Sequence, residues 1–117
     1  MSRLARLHAL PASVVAASLA ACSSAADRLF LDVHRLGPDK VTAAGVGEAH
    51  QKDLAIEAQY GVHYERYWVD EDTGTIYCLV HAPSAEAAAE VHRSSHGLVA
   101  DEIHEVEPGI LPAPATG

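Results

Sequence analysis

VHYERYWVDEDTGTIYCLVH, residues 62–81, is the stretch on which the fold turns. Residues 62–69 and 75–81 are rich in Val, Ile, Tyr, Trp and Thr, side chains that suit a pleated, half-buried surface. Between them DEDTG, residues 70–74, supplies turn-forming Asp and Gly, so the two runs pair as an antiparallel hairpin. A helical pattern flanks the hairpin on each side. Before it, Val46, Ala49 or His50, Asp53, Ile56 and Tyr60 follow the 3.6-residue period, from a cap at Thr42 to a stop at Gly61. After it, SAEAAAEVHRSSHG follows Pro83, with Ser84 as N-cap, Glu86 in the first turn and Gly97 at the end.

One further strand lies outside each helix. LFLDV, residues 29–33, continues into His34 and alternates Leu29, Leu31 and Val33 against Phe30, Asp32 and His34; Gly37 and Pro38 end it. DEIHEV, residues 101–106, is a short last strand. The order βαββαβ predicts an α+β, ferredoxin-like sandwich: a four-stranded antiparallel sheet with two helices on one face. The other face is expected to carry Phe30, Trp68 or Tyr67, and Leu79. Apolar surface left open on so small a domain calls for a second copy, so a homodimer is expected. Tyr64, Tyr67 and Trp68 fit core and dimer packing better than a substrate-stacking platform.

The chain has 117 residues, room for one compact domain, and is 49% apolar and 21% charged. Its formal net charge is −8 and its basic residues are scattered, which argues against a nucleic-acid partner and is compatible with cations. The domain is expected at residues 29–106, with a disordered Pro-rich tail at 107–117. Residues 1–28 differ in composition. Arg3 and Arg6 precede a small, apolar run that ends in LAAC at Cys22, the order of parts in a lipoprotein-type signal whose cysteine is lipidated. That places the protein in the cell envelope, tethered to a membrane through Cys22. The alternative is a disordered extension of a cytoplasmic protein, because Pro11 interrupts the apolar run. A lipidated Cys22 leaves Cys78 without a partner, so no intramolecular disulfide is expected.

Eight histidines are the chemical signature. His92 and His96 stand four apart on the second helix and share one face, as metal ligands do; the C-terminal end of the helix dipole there favours a cation. His50 and Asp53 are three apart on the first helix. These four are the central candidates, and His34, at the end of the first strand, comes next. Glu102 is a lesser candidate, to complete a coordination shell or orient a ligand from behind it. Cys78 fits either a small buried thiol or a ligand. His63, His81 and His104 lie in strands beside polar residues and suit solvent-facing positions, and His8 falls in the signal-like segment. Imidazole and carboxylate donors suit several divalent ions, so the residues alone do not choose among Ni2+, Cu2+ and Zn2+. With an ordinary histidine pKa of about 6.5, acid should release the ion below about pH 6.

The stretches YGVHYERYWVDE, CLVHAPSAEAA and VHRSSHGLVADEI, within residues 29–106, resemble a family of small bacterial nickel-binding proteins with a dimeric ferredoxin-like fold, formerly a domain of unknown function. The resemblance implies metal binding, nickel in particular, for storage, buffering or delivery without catalytic turnover. Two other readings remain at this point. One is a dimeric α/β-barrel-type enzyme, such as a cofactor-independent monooxygenase or small isomerase, with His50 or His92 as general base. The other is a plain dimerisation module.

Overall fold

The computed structural model describes residues 27–115; the signal-like segment with Cys22 and His8 lies outside the described residues. Four strands and two helices follow in the order β1 (Arg28–Arg35), α1 (Ala43–Ile56), β2 (His63–Asp70), β3 (Thr75–Ala82), α2 (Ala85–Ser95) and β4 (Glu102–Glu105). The sheet runs β2-β3-β1-β4, with every pairing antiparallel, the ferredoxin-like arrangement. The tail through Ala115 forms no helix or strand and is exposed.

Each helix starts where its cap requires. The Thr42 hydroxyl accepts from the Gly45 N–H at 3.1 Å and the Ser84 hydroxyl from the Ala87 N–H at 3.1 Å, each satisfying a donor that the first turn leaves free. The first helix was expected to reach Tyr60. Instead α1 tightens at Glu57 into a 3-10 turn, Glu57–Tyr60, that Gly61 ends in the left-handed region at φ 67°. The Glu57 carboxylate then accepts from the Tyr64 N–H at 2.8 Å, tying the helix end to the start of β2. In the hairpin, Asp70 accepts from the Asp72 N–H at 3.1 Å and the Thr73 hydroxyl at 2.7 Å. Gly74 closes this turn at φ 67°, and a Cβ there would lie 1.7 Å from the Gly37 carbonyl oxygen, so only glycine fits.

The core between sheet and helices is built on Phe30, Val46, Val62, Tyr64, Ile76, Cys78, Val80 and Val91. This corrects one expectation. Phe30 does not cover the open face: it is in register with the fully buried Val80 and is itself 2% exposed. The reason lies in what a two-residue period couples. Burying the phenyl ring beneath the helices turns Asp32 and His34 inward with it, and Leu29, Leu31 and Val33 outward. A register shift between Tyr64 and Arg66 does the same for β2. Without it Tyr64 and Trp68 would share a face; with it Tyr64 and Tyr67 both point to the core and Trp68 remains 46% exposed on the open face beside Tyr77. Leu79 is on that open face, as expected.

Candidate metal centre

The inward turn of β1 brings acidic and basic side chains under the helices. Asp32 and His34 come from β1, Cys78 from β3, His50 and Asp53 from α1, and His92 and His96 from α2 and its C-cap. His92 stands at the centre, 2% exposed, and both of its ring nitrogens are engaged. Nδ1 lies 3.1 Å from Asp53 Oδ1 and 3.2 Å from His96 Nε2. Nε2 lies 3.2 Å from Asp32 Oδ2 and 3.1 Å from the Tyr64 hydroxyl oxygen. Tyr64 donates its own proton to the Ala88 carbonyl at 3.2 Å, so it accepts from His92. Ser95 donates to Asp53 Oδ1 at 2.5 Å and fixes that carboxylate.

The charges follow from this geometry. Burial by itself would depress the His92 pKa, but hydrogen bonds to Asp32, Asp53 and Cys78 outweigh it and push it up to about 11. The ring is therefore an imidazolium at neutral pH, held between two carboxylates. Burial would raise Asp53, but hydrogen bonds from His92 and Ser95 and the nearby His96 hold it below the usual carboxylate range. His34 goes the other way: burial, then the charge on His92, lower it to about 4, so its ring is neutral. Burial pushes the Cys78 thiol up and keeps it protonated. At His96 the Leu98 N–H donates to Nδ1 at 3.1 Å, which leaves a neutral ring's proton on Nε2, facing Asp53.

Three of the four central candidates, Asp53, His92 and His96, thus meet in one cluster, and His34, the next candidate, joins them through His92. His50 lines the same cavity but packs on Tyr67, ring centroids 4.5 Å apart, outside the groups of converging donor atoms. Burial lowers its pKa, partly offset by Asp53 and Glu57. Cys78 belongs with the buried donors. Glu102 does not, and its expected role is corrected: β4 pairs it with Val33, whose side chain points away from the helices, and its carboxylate binds Arg35 at 3.3 Å and His104 at 2.8 Å. His63 and His104 are exposed, and half-buried His81 bridges Asp27 and Glu65. Asp32 and Tyr64, the partners of His92 Nε2, were not among the expected site residues. The signal for Asp32 was its place between Phe30 and His34 on one strand face.

The donor atoms fit a divalent ion. Asp53 Oδ1, His92 Nδ1 and His96 Nε2 form a triangle with edges of 3.1, 3.1 and 3.2 Å. Ligands about 2.1 Å from one ion lie roughly 3.0 Å apart across an octahedral edge and roughly 3.4 Å apart across a tetrahedral one. The triangle therefore matches one face of a coordination polyhedron. All three residues line a cavity of about 320 Å³ between α1, the sheet and Leu98. At about 30 Å³ per water, that space holds the remaining ligands of a six-coordinate ion.

Residues 30–106 match the profile of a family described as nickel responsive protein SCO4226-like. Among solved structures, the crystal structure of SCO4226 from Streptomyces coelicolor A3(2) is similar, at 48% sequence identity and a TM-score of 0.65, over 70% of this chain and 99% of that one. No curated relative matches the chain.

Proposed function

The chain belongs to the nickel-responsive SCO4226-like family, and from that premise we propose that it binds a divalent transition metal, nickel first, and stores, buffers or delivers it without catalytic turnover. The observation that carries this reading is the triangle of Asp53, His92 and His96 donor atoms beside a cavity. One carboxylate and two imidazoles are borderline donors suited to nickel; copper and zinc are accepted too, with copper the strongest competitor. Loading moves protons within the site. The ion replaces the proton on His92 Nδ1, and at His96 it takes Nε2, so that ring's proton moves to Nδ1 and the contact with the Leu98 N–H is given up.

The enzyme reading is weaker on a specific point. Of its two candidate bases, His92 already carries its proton at neutral pH and has no free lone pair to accept another, which leaves His50 alone in that role. The test of nickel binding is metal content after equilibrium dialysis. Wild type should retain nickel, and His96→Ala and Asp53→Asn should each lose about 10-fold or more in affinity. Equal nickel content in all three would remove this site.

The homodimer and the tether are parts of the same proposal. Leu31, Tyr77, Leu79 and the exposed Trp68 lie on the sheet face away from the helices, the surface a second copy would cover. Trp68→Glu is therefore expected to halve the solution mass measured by light scattering, and an unchanged mass would count against this face as the interface. The mature chain is expected to begin at a lipidated Cys22 and to sit in the cell envelope. Mass spectrometry of the N-terminus in native cells reads this directly, and an intact Met1 would refute it.

A further inference from the structure

The nickel triangle uses one nitrogen of the His92 ring. The other, Nε2, faces Asp32 on β1 and Tyr64 on β2, and the ring belongs to a second group of buried donors as well. His34, Cys78 and His92 are all buried, and each offers one ligand atom, all within 4.8 Å of one another. They come from three separate elements, β1, β3 and α2, so their convergence is a product of the tertiary fold. Beside them is Asp32, directly across from Cys78 in the β1–β3 register and 3.2 Å from His92 Nε2 through Oδ2. Its other oxygen, Oδ1, is buried and has no hydrogen-bond partner, the one such side-chain atom among the described residues. A carboxylate oxygen left unpaired in a core is costly, and such atoms need a reason. An adjacent cation would supply it.

We propose that His34, Cys78 and His92 form a second, inner metal site, which takes a thiophilic ion of the Zn(II) or Cu(I) kind beside the Asp32 carboxylate. A thiolate with two imidazoles is a softer donor set than the carboxylate and two imidazoles of the outer triangle, and it shifts preference from nickel toward these ions. The ion can arrive by the same route, because His34, Cys78 and His92 all line the cavity. Binding is an exchange of protons for metal, with no change of oxidation state. The Cys78 Sγ–H proton and one His92 ring proton leave to solvent as the metal–sulfur and metal–nitrogen bonds form.

The shared ring makes the two sites compete. A neutral imidazole has one lone pair, and the outer triangle uses it on Nδ1, so His92 serves one ion at a time. Filling the inner site therefore expels nickel from the outer. This competition rests on the nickel reading above; the inner site itself does not.

Cobalt(II) is a suitable probe, because a bound thiolate gives a sulfur-to-metal charge-transfer band that oxygen and nitrogen ligands do not. Titration of the full chain should produce that band, saturating at one equivalent. It should persist in Cys22→Ser and His96→Ala and vanish in Cys78→Ser and in His34→Gln, both verified as folded by circular dichroism. Buffered Cu(I) should release nickel from wild type and leave it bound to Cys78→Ser. No charge-transfer band in wild type, or a band that follows Cys22 instead of Cys78, overturns the inner site. A wild-type chain that shows the band but binds no nickel would refute the nickel reading and leave the inner site standing.

Discussion

Replacing His92 with alanine is expected to abolish nickel uptake and to destabilise the fold by about 3–5 kcal/mol, the range for breaking a buried ion pair from one side. The size follows from what remains. Asp32 and Asp53, 0% and 2% exposed, lose the cation between them, and Asp32, already short of a partner on Oδ1, loses its contact through Oδ2 as well. Tyr64 loses the donor at its hydroxyl, and the imidazole leaves a void between α2 and the sheet. Because the penalty lies in the stranded charges, it should be largely reversed when they are removed together. Asp32→Asn and Asp53→Asn combined with His92→Leu should regain most of the stability and still take up no nickel. Urea unfolding monitored by circular dichroism separates the two properties. A loss below about 1 kcal/mol in His92→Ala would show that the ring is not the charged centre of the core.

The elements of this fold are legible one at a time, but the faces of its strands are not. The β-forming runs of the hairpin, caps at Thr42 and Ser84 and glycines at 61 and 97 are local signals, and the elements form where they place them, save that the first helix tightens into a 3-10 turn before Gly61. On β1, however, three aliphatic residues sit on one parity and one phenylalanine on the other, so composition points to Leu29, Leu31 and Val33 as the core. The structure buries Phe30 under the helices, because its ring fills the centre against Val80, and this decides where Asp32 and His34 go. Asp32 escaped notice for the same reason: an aspartate in a strand suggests a solvent-facing edge until its face is known. The pair His92 and His96 was visible because helix spacing is a local property. Its meeting with Asp53 depended on how α1 and α2 pack. Glu102 misled in the opposite sense, since it is near α2 in sequence while β4's pairing turns it away.

The buried charge of His92 also changes the pH at which metal is expected to leave. An ordinary histidine would release its ion in a step below about pH 6. Here the proton is held until about pH 11, so at every lower pH the ion must displace it. The apparent nickel affinity should rise by about one log unit per pH unit from pH 6 to pH 8, roughly 100-fold in total, as read by competition with a chelator whose own pH dependence is known. A plateau above pH 7 would mean that His92 is already neutral. The metal-free protein should respond in the opposite direction over this range. Its His92 pKa is raised from 6.5 to about 11, so the stability this group contributes is full below about 6.5 and is lost as pH climbs toward 11. Below 6.5 His34 takes over: its folded pKa of about 4 means the unfolded chain binds the extra proton, and stability falls with pH down to about 4. Asp53, whose pKa is depressed, adds its own loss in stronger acid. These groups together place the thermal midpoint of the metal-free protein at its highest near pH 6.5, while nickel should shift that maximum upward, because the ion supplies at alkaline pH the positive charge that the departing proton takes away.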